Sequence, residues 1–120
     1  MYYPTKAREI ALNNNQGFHL AAWAKRGGST IYGTNTARCS VRFRRTHSDG
    51  TKGFHLHAEM DLIRRFMPGS ISEINVIRFS KEGNVTMSKP CPFCQRFLRL
   101  HGIRKVRFTN WEGQWQTMRL

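Results

Sequence analysis

The chain has 120 residues, with 20 Lys and Arg against seven Asp and Glu, a formal net charge of +13. Apolar residues make up 39%, among them eight Phe, three Trp and three Tyr, which suffices for one modest core and excludes a disordered tail. No apolar run approaches the roughly 18 residues of a membrane span, the start MYYPTKAREI has no apolar signal core, and three cysteines argue against a disulfide scaffold, so a soluble, intracellular protein of one domain over residues 1–120 is expected.

Residues 6–14 predict a short helix, with Ala7, Ile10 and Ala11 on one face, Pro4 near the start and Gly17 beyond the end. Residues 18–24 and 30–35 are β-rich runs either side of KRGGS and predict a hairpin. Residues 37–53 carry RFRR, end in Ser, Asp and Gly, and read as a long basic loop. Residues 56–67 predict a helix with an apolar stripe of Ala58, Leu62, Ile63 and Phe66, stopped at Pro68-Gly69. A strand over 74–80, a helix over 91–100, a strand over 103–110 and a last strand over 114–119 complete the order α, β-hairpin, α, β, α, β, β. That order predicts one sheet with helices packed on it.

The basic balance favours partners that carry phosphate. A solubility trait is the bland alternative. Arg42, Arg44 and Arg45 flank Phe43, a mixture that suits a phosphate and a stacked base. Arg96, Arg99, Arg104, Lys105 and Arg107 form a second basic group along the chain.

The chemistry sits in two short motifs. PCPFC, residues 90–94, opens one predicted helix, and HAE, residues 57–59, opens the other. A Cys-x-x-Cys pair alone is compatible with a redox couple, or with a structural zinc whose fourth ligand is His101 or Cys39. One strand separates the two helices, however, so a crossover connection lays them side by side with their N-termini together. His57, Cys91 and Cys94 then supply three ligands to one zinc and leave a position open, the arrangement of a catalytic site. Glu59 is placed to take a proton from water activated by the metal. His55, two residues before His57, lacks a Glu two residues on and reads as a loop residue. His19, His47 and Cys39 read as ordinary side chains, and Trp111 and Trp115 as packing groups.

This H-x-E…P-C-x-x-C pair is the signature of zinc nucleobase deaminases. The sequence resembles the cytidine and deoxycytidylate deaminase superfamily from the first helix to Asn110. The resemblance implies an α/β fold, a three-layer α/β/α sandwich with a five-stranded mixed sheet. It implies His57, Cys91 and Cys94 as zinc ligands and Glu59 as proton shuttle. It also implies that Asn35, in YGTN, binds the substrate sugar, and that Ala58, Pro90 and Phe93 border the base. A histidine as first ligand is similar to the deoxycytidylate and polynucleotide-editing branches. An antiparallel last strand is similar to the free-nucleoside branch. Phe93, where the tRNA-adenosine branch has methionine, favours cytosine over adenine. The expected partner is a cytosine-containing nucleotide or, favoured by the charge, single-stranded DNA or RNA. Small members of that family often assemble, so a homo-oligomer is one form to expect. A non-catalytic, zinc-containing nucleic-acid-binding module is the contrasting reading, and Glu59 argues against it.

Overall fold

The computed structural model describes residues 3–13, 19–35, 45–46, 52–53, 57–66 and 69–120. Helix α1 (Thr5–Leu12) leads into strands β1 (His19–Arg26) and β2 (Ser29–Thr34), and two-residue strands β3 (Arg45–Thr46) and β4 (Lys52–Gly53) follow. Next come α2 (Ala58–Ile63), β5 (Glu73–Phe79), β6 (Val85–Thr86), α3 (Pro92–Leu100), β7 (Lys105–Thr109) and β8 (Trp115–Arg119).

The main sheet has the order β2-β1-β5-β7-β8, with β6 paired to β5 off this path. Strands β5 and β7 are parallel, and the neighbours β1–β2, β1–β5 and β7–β8 are antiparallel. Its five-stranded path is the mixed sheet expected, including the antiparallel last strand, and β6 adds a sixth, two-residue strand. The central strand β5, EINVIRF, sends apolar side chains to both faces, as a strand covered on both sides requires. Its Ile74 and Val76 enter a core shared with Leu62, Leu98, Ile103 and Val106, under α2 and α3. Ile77 and Phe79 point the other way and pack with Ala7, Ala11, Ala21 and Trp23 under α1. The small side chains of Ala7 and Ala11 let α1 lie close to the sheet. Among the described residues no helix is long and apolar enough to cross a membrane.

Three local expectations need correction. The predicted helix over 56–67 is α-helical only at Ala58–Ile63. It then tightens, with Arg65 N–H and Phe66 N–H donating to the carbonyls of Leu62 and Ile63 three residues back. Leu56 and Met67 lie outside the described residues. The basic segment 37–53 is not loop throughout, because β3 and β4 pair within it, Arg45 opposite Gly53. Strand β6 was not expected. Two residues carry no periodicity, and its place is set by pairing with Arg78 and Phe79.

Strand β2 approaches α2 unusually closely, and Gly33 permits it. A Cβ there would stand 2.5 Å from Leu62 N and 2.7 Å from the Ala58 carbonyl oxygen. Both are backbone atoms of α2 and have no side-chain freedom with which to yield. Gly33→Ala is therefore expected to lower stability by about 1–3 kcal/mol, as overpacking does. Gly28 is the control. It lies in the two-residue turn between Arg26 and Ser29, lacks a positive φ and has no atom within 4 Å of a built Cβ. Gly28→Ala should be neutral or stabilising by up to about 1 kcal/mol. Urea unfolding of the two variants checks this, and equal stabilities would contradict the close approach.

Candidate active site

Strands β5 and β7 run the same way, so α3 returns antiparallel to both and starts at their C-terminal end. Helix α2, which feeds β5, starts at that end too. His57 occupies the cap position of α2 in extended backbone, φ −73° and ψ 155°. Cys91 caps α3 likewise, φ −66° and ψ 162°, with Pro92 opening the helix after it. Proline suits that position because a first-turn N–H has no intrahelical partner to lose.

The two caps and the first turn of α3 bring three donors together. His57 Nδ1 lies 3.0 Å from Cys94 Sγ and 3.8 Å from Cys91 Sγ. All three ligand atoms fall within 4.8 Å of one another. Ligand atoms on one tetrahedral zinc stand roughly 3.6–3.8 Å apart, from metal–ligand lengths of about 2.0–2.3 Å. The set is soft, thiolate-rich and of the right span, so it fits zinc. Cys94 is fully buried, and its N–H donates to Cys91 Sγ at 3.5 Å. The Cys91 thiol is lowered to about 3 by hydrogen bonding with the Cys94 side chain, then with His57, against a burial effect that opposes it. A thiolate at that position is what a metal requires.

Glu59 is 3% exposed. Burial raises its carboxyl above the ordinary range, while the His57 charge and a hydrogen bond with Cys94 act the other way. A carboxyl raised by burial beside a metal set suits a group that both accepts and returns a proton.

The loop before Cys91 is fixed by a buried hydroxyl pair. Ser88 Oγ donates to the Val76 carbonyl at 2.9 Å, and Thr109 N–H donates to Ser88 Oγ at 2.7 Å. Thr109 Oγ1 donates to the Thr86 carbonyl at 2.6 Å. Past Cys91, the Gln95 side chain donates to the Pro90 carbonyl at 2.8 Å. Asp61 fixes α2. It is 2% exposed, accepts Thr34 N–H at 3.0 Å and pairs with Arg64 at 2.6 Å, so it ties α2 to the end of β2. None of Ser88, Thr109 and Asp61 was singled out from the sequence. Only Asp61 left a signal there, Arg at three and four residues on.

The other expected site residues are placed as follows. Asn35 follows β2 at the same end of the sheet, and its Oδ1 accepts Leu20 N–H at 3.1 Å. Ala58 is buried with its carbonyl against Gly33. Pro90 is buried, and Phe93 packs on the Met60–Cys94 cluster beside Cys91. Arg42 and Arg44 lie outside the described residues, as do Cys39, Phe43, His47 and His55, and for Arg45 only the backbone is described. His101 sits at the far end of α3, its Nδ1 2.8 Å from the Phe97 carbonyl oxygen, which removes it as a fourth ligand. His19 Nδ1 lies 3.1 Å from the Ala11 carbonyl oxygen. Trp115 packs edge-on against Trp23, whereas Trp111 is 68% exposed. The second basic group divides: Arg96 and Arg99 are on α3, and Lys105 and Arg107 are on β7.

No protein-family model matches this sequence. No curated protein matches it either. Among solved structures it is similar to the 1.6 Å crystal structure of cytidine deaminase from Burkholderia pseudomallei. The TM-score is 0.61 at 20% identity, over 95% of this chain and 84% of that one. The chain therefore has the three-layer fold of that cytidine deaminase, with a His-Cys-Cys group able to hold a metal at one end of its sheet.

Proposed function

We propose that the protein is a zinc-dependent hydrolase that converts cytosine to uracil and releases ammonia. The observation that carries this is the meeting of His57, Cys91 and Cys94 beside a buried Glu59 whose carboxyl is raised. His57, Cys91 and Cys94 would hold the zinc, which when bound supplies a Lewis acid that activates water. Glu59 would take one proton from the attacking water and pass it to ring N3 as the water oxygen bonds to C4; it would then move the remaining hydroxyl proton to the exocyclic amine, so that the C4–N bond breaks, ammonia leaves and the C4 carbonyl of uracil forms. Asp61, through Thr34, and Ser88, through Val76 and Thr109, keep the two helix starts in register. Phe93 and Pro90 form the apolar wall against which the base lies, and Asn35 contacts the sugar.

The formal charge of +13 supports a phosphate-bearing substrate, with cytosine in single-stranded nucleic acid ahead of free dCMP. A free-nucleoside or nucleotide substrate is the second reading, favoured by the antiparallel β7–β8 pairing. Incubation of the zinc-loaded protein with cytidine, dCMP and cytosine-containing single-stranded DNA and RNA, followed by mass detection of uracil, tests the proposal. Uracil should form, with kcat/KM highest on a single strand. No uracil from any of the four would reject the enzyme reading in favour of a binding module.

A further inference from the structure

The sheet has a second basic surface that the catalytic reading does not use. Register fixes its membership, because directly paired residues share a face. Trp23 pairs with Asn75, and Asn75 with Arg107. Glu73 pairs with Lys105, and Lys105 with Arg119. Trp23 packs under α1, so Asn75, Arg107, Lys105, Arg119 and Glu73 lie on the α1 side, as does Lys25, two residues along β1 from Trp23. They occupy the N-terminal end of β5 and β7. The metal ligands are at the other end and on the other face.

Lys25 and Arg119 are exposed, and Lys105 and Arg107 are half-buried. An open cavity of about 520 Å³ lies between Lys25, the turn at 69–72, Glu73, Asn75 and Arg107. Arg107 is held in place: its guanidinium lies 4.8 Å above the Trp115 ring and donates to Asn75 Oδ1 at 3.2 Å. The carboxylate on this face is Glu73, 3.6 Å from Lys105 Nζ. Four cations thus face one carboxylate.

We infer that this face, built on Lys25, Lys105, Arg107 and Arg119, is a docking surface for single-stranded nucleic acid. The cations stand on strands β1, β7 and β8, three inter-strand steps or about 14 Å apart at the limits. A stacked strand presents a phosphate for roughly every 3.4 Å of its axis, so the span matches several phosphates of one strand. The concavity admits a sugar or base, and a guanidinium fixed on an aromatic ring is a positioned phosphate donor. A membrane surface is a poor match. The large exposed apolar side chains among the described residues are Leu100 and Trp111, and neither is on these strands. The inference does not draw on the deaminase reading, and its test needs no turnover.

The test uses a fluorescent oligothymidylate, which contains no cytosine, and anisotropy across a salt series. Lys25→Gln combined with Arg119→Gln removes two exposed cations. At about 0.7 per phosphate, the log–log salt slope should flatten by about 1.4, and affinity should fall roughly 10- to 30-fold at 0.1 M salt. Lys81→Gln combined with Arg99→Gln removes the same charge from exposed positions elsewhere and should change the slope by much less. The inference is overturned if the wild-type protein does not bind the oligonucleotide, or if the first pair leaves its slope unchanged. It is equally overturned if both pairs act alike, or if polyglutamate of matched charge competes as well as the oligonucleotide. Metal content and deamination are measured separately, so a protein that deaminates nothing can still pass.

Discussion

Glu59→Gln is expected to keep its zinc and lose deamination. General acid–base catalysis contributes roughly 10²–10⁴-fold, and the loss should reach or exceed the upper figure because one carboxyl serves both the water and the leaving amine. The amide keeps the shape of the side chain and the packing around Met60 and Cys94, so the metal set need not change. The same substitution should affect the stability of the metal-free protein, with a defined sign. Burial raises the Glu59 carboxyl in the folded state, so the fold prefers the neutral acid. Its contribution is intact below the ordinary carboxylate pKa and is lost as pH rises through the raised value. A glutamine is neutral throughout, and metal-free Glu59→Gln should gain on the wild type as pH rises through that window. Thermal unfolding of both proteins at pH 4 and pH 8, with uracil formation and zinc content on the loaded forms, makes the comparison. A folded Glu59→Gln protein turning over near the wild-type rate would end the shuttle assignment.

Cys91→Ser or Cys94→Ser should each empty the metal site, and with it all activity. Losing an outer hydrogen-bond partner of a metal ligand costs roughly 10–100-fold in affinity, and losing a thiolate ligand should cost more. Cys94 is the more severe case. It is fully buried, its sulfur is 3.0 Å from His57 Nδ1, and it belongs to the cluster that joins α2 to α3. His101→Ala and Cys39→Ser should retain full zinc, since the rival four-ligand site would need one of them. Metal analysis of the purified variants decides the matter. A folded Cys91→Ser protein with undiminished zinc would refute the ligand set.

Much of this was legible because the chemistry needs residue types at short, fixed separations. His57 with Glu59, and Cys91 with Cys94, each sit within one helical turn, and the Ile, Val and Phe residues of β5 announced the strand that brings the turns together. The hairpin showed in its two β-rich runs and paired glycines. What stayed hidden depends on the third dimension. Ser88 and Thr109 are unremarkable in a sequence and meet only because β6 and β7 lie along the same edge of β5. The basic residues from 96 to 107 look like one group on paper, but helix and strand turn them to different surfaces. Lys105 and Arg107 alternate with Val106, so they leave the core face together, while Arg96 and Arg99 sit on α3. Helix α2 was read too long because its apolar stripe continues into Phe66 after the backbone has tightened.

The three candidate metal ligands come from two places in the chain, with His57 34 residues before Cys91 and 37 before Cys94. This makes the order of assembly unequal. In the unfolded chain the two thiols are already neighbours, whereas bringing the imidazole to them closes a loop about ten times longer. Loop entropy sets that closure roughly 2 kcal/mol behind the local one. A chain folding in the presence of zinc would therefore meet the ion first as a two-sulfur chelate, before β5 is laid down between its neighbours. Metal held by the unfolded chain offsets part of what metal adds to the native state. Zinc held by this set would thus stabilise the fold only by the margin that His57 and the assembled sheet add over the thiol pair, and surplus zinc during refolding would strengthen the unfolded side of that balance.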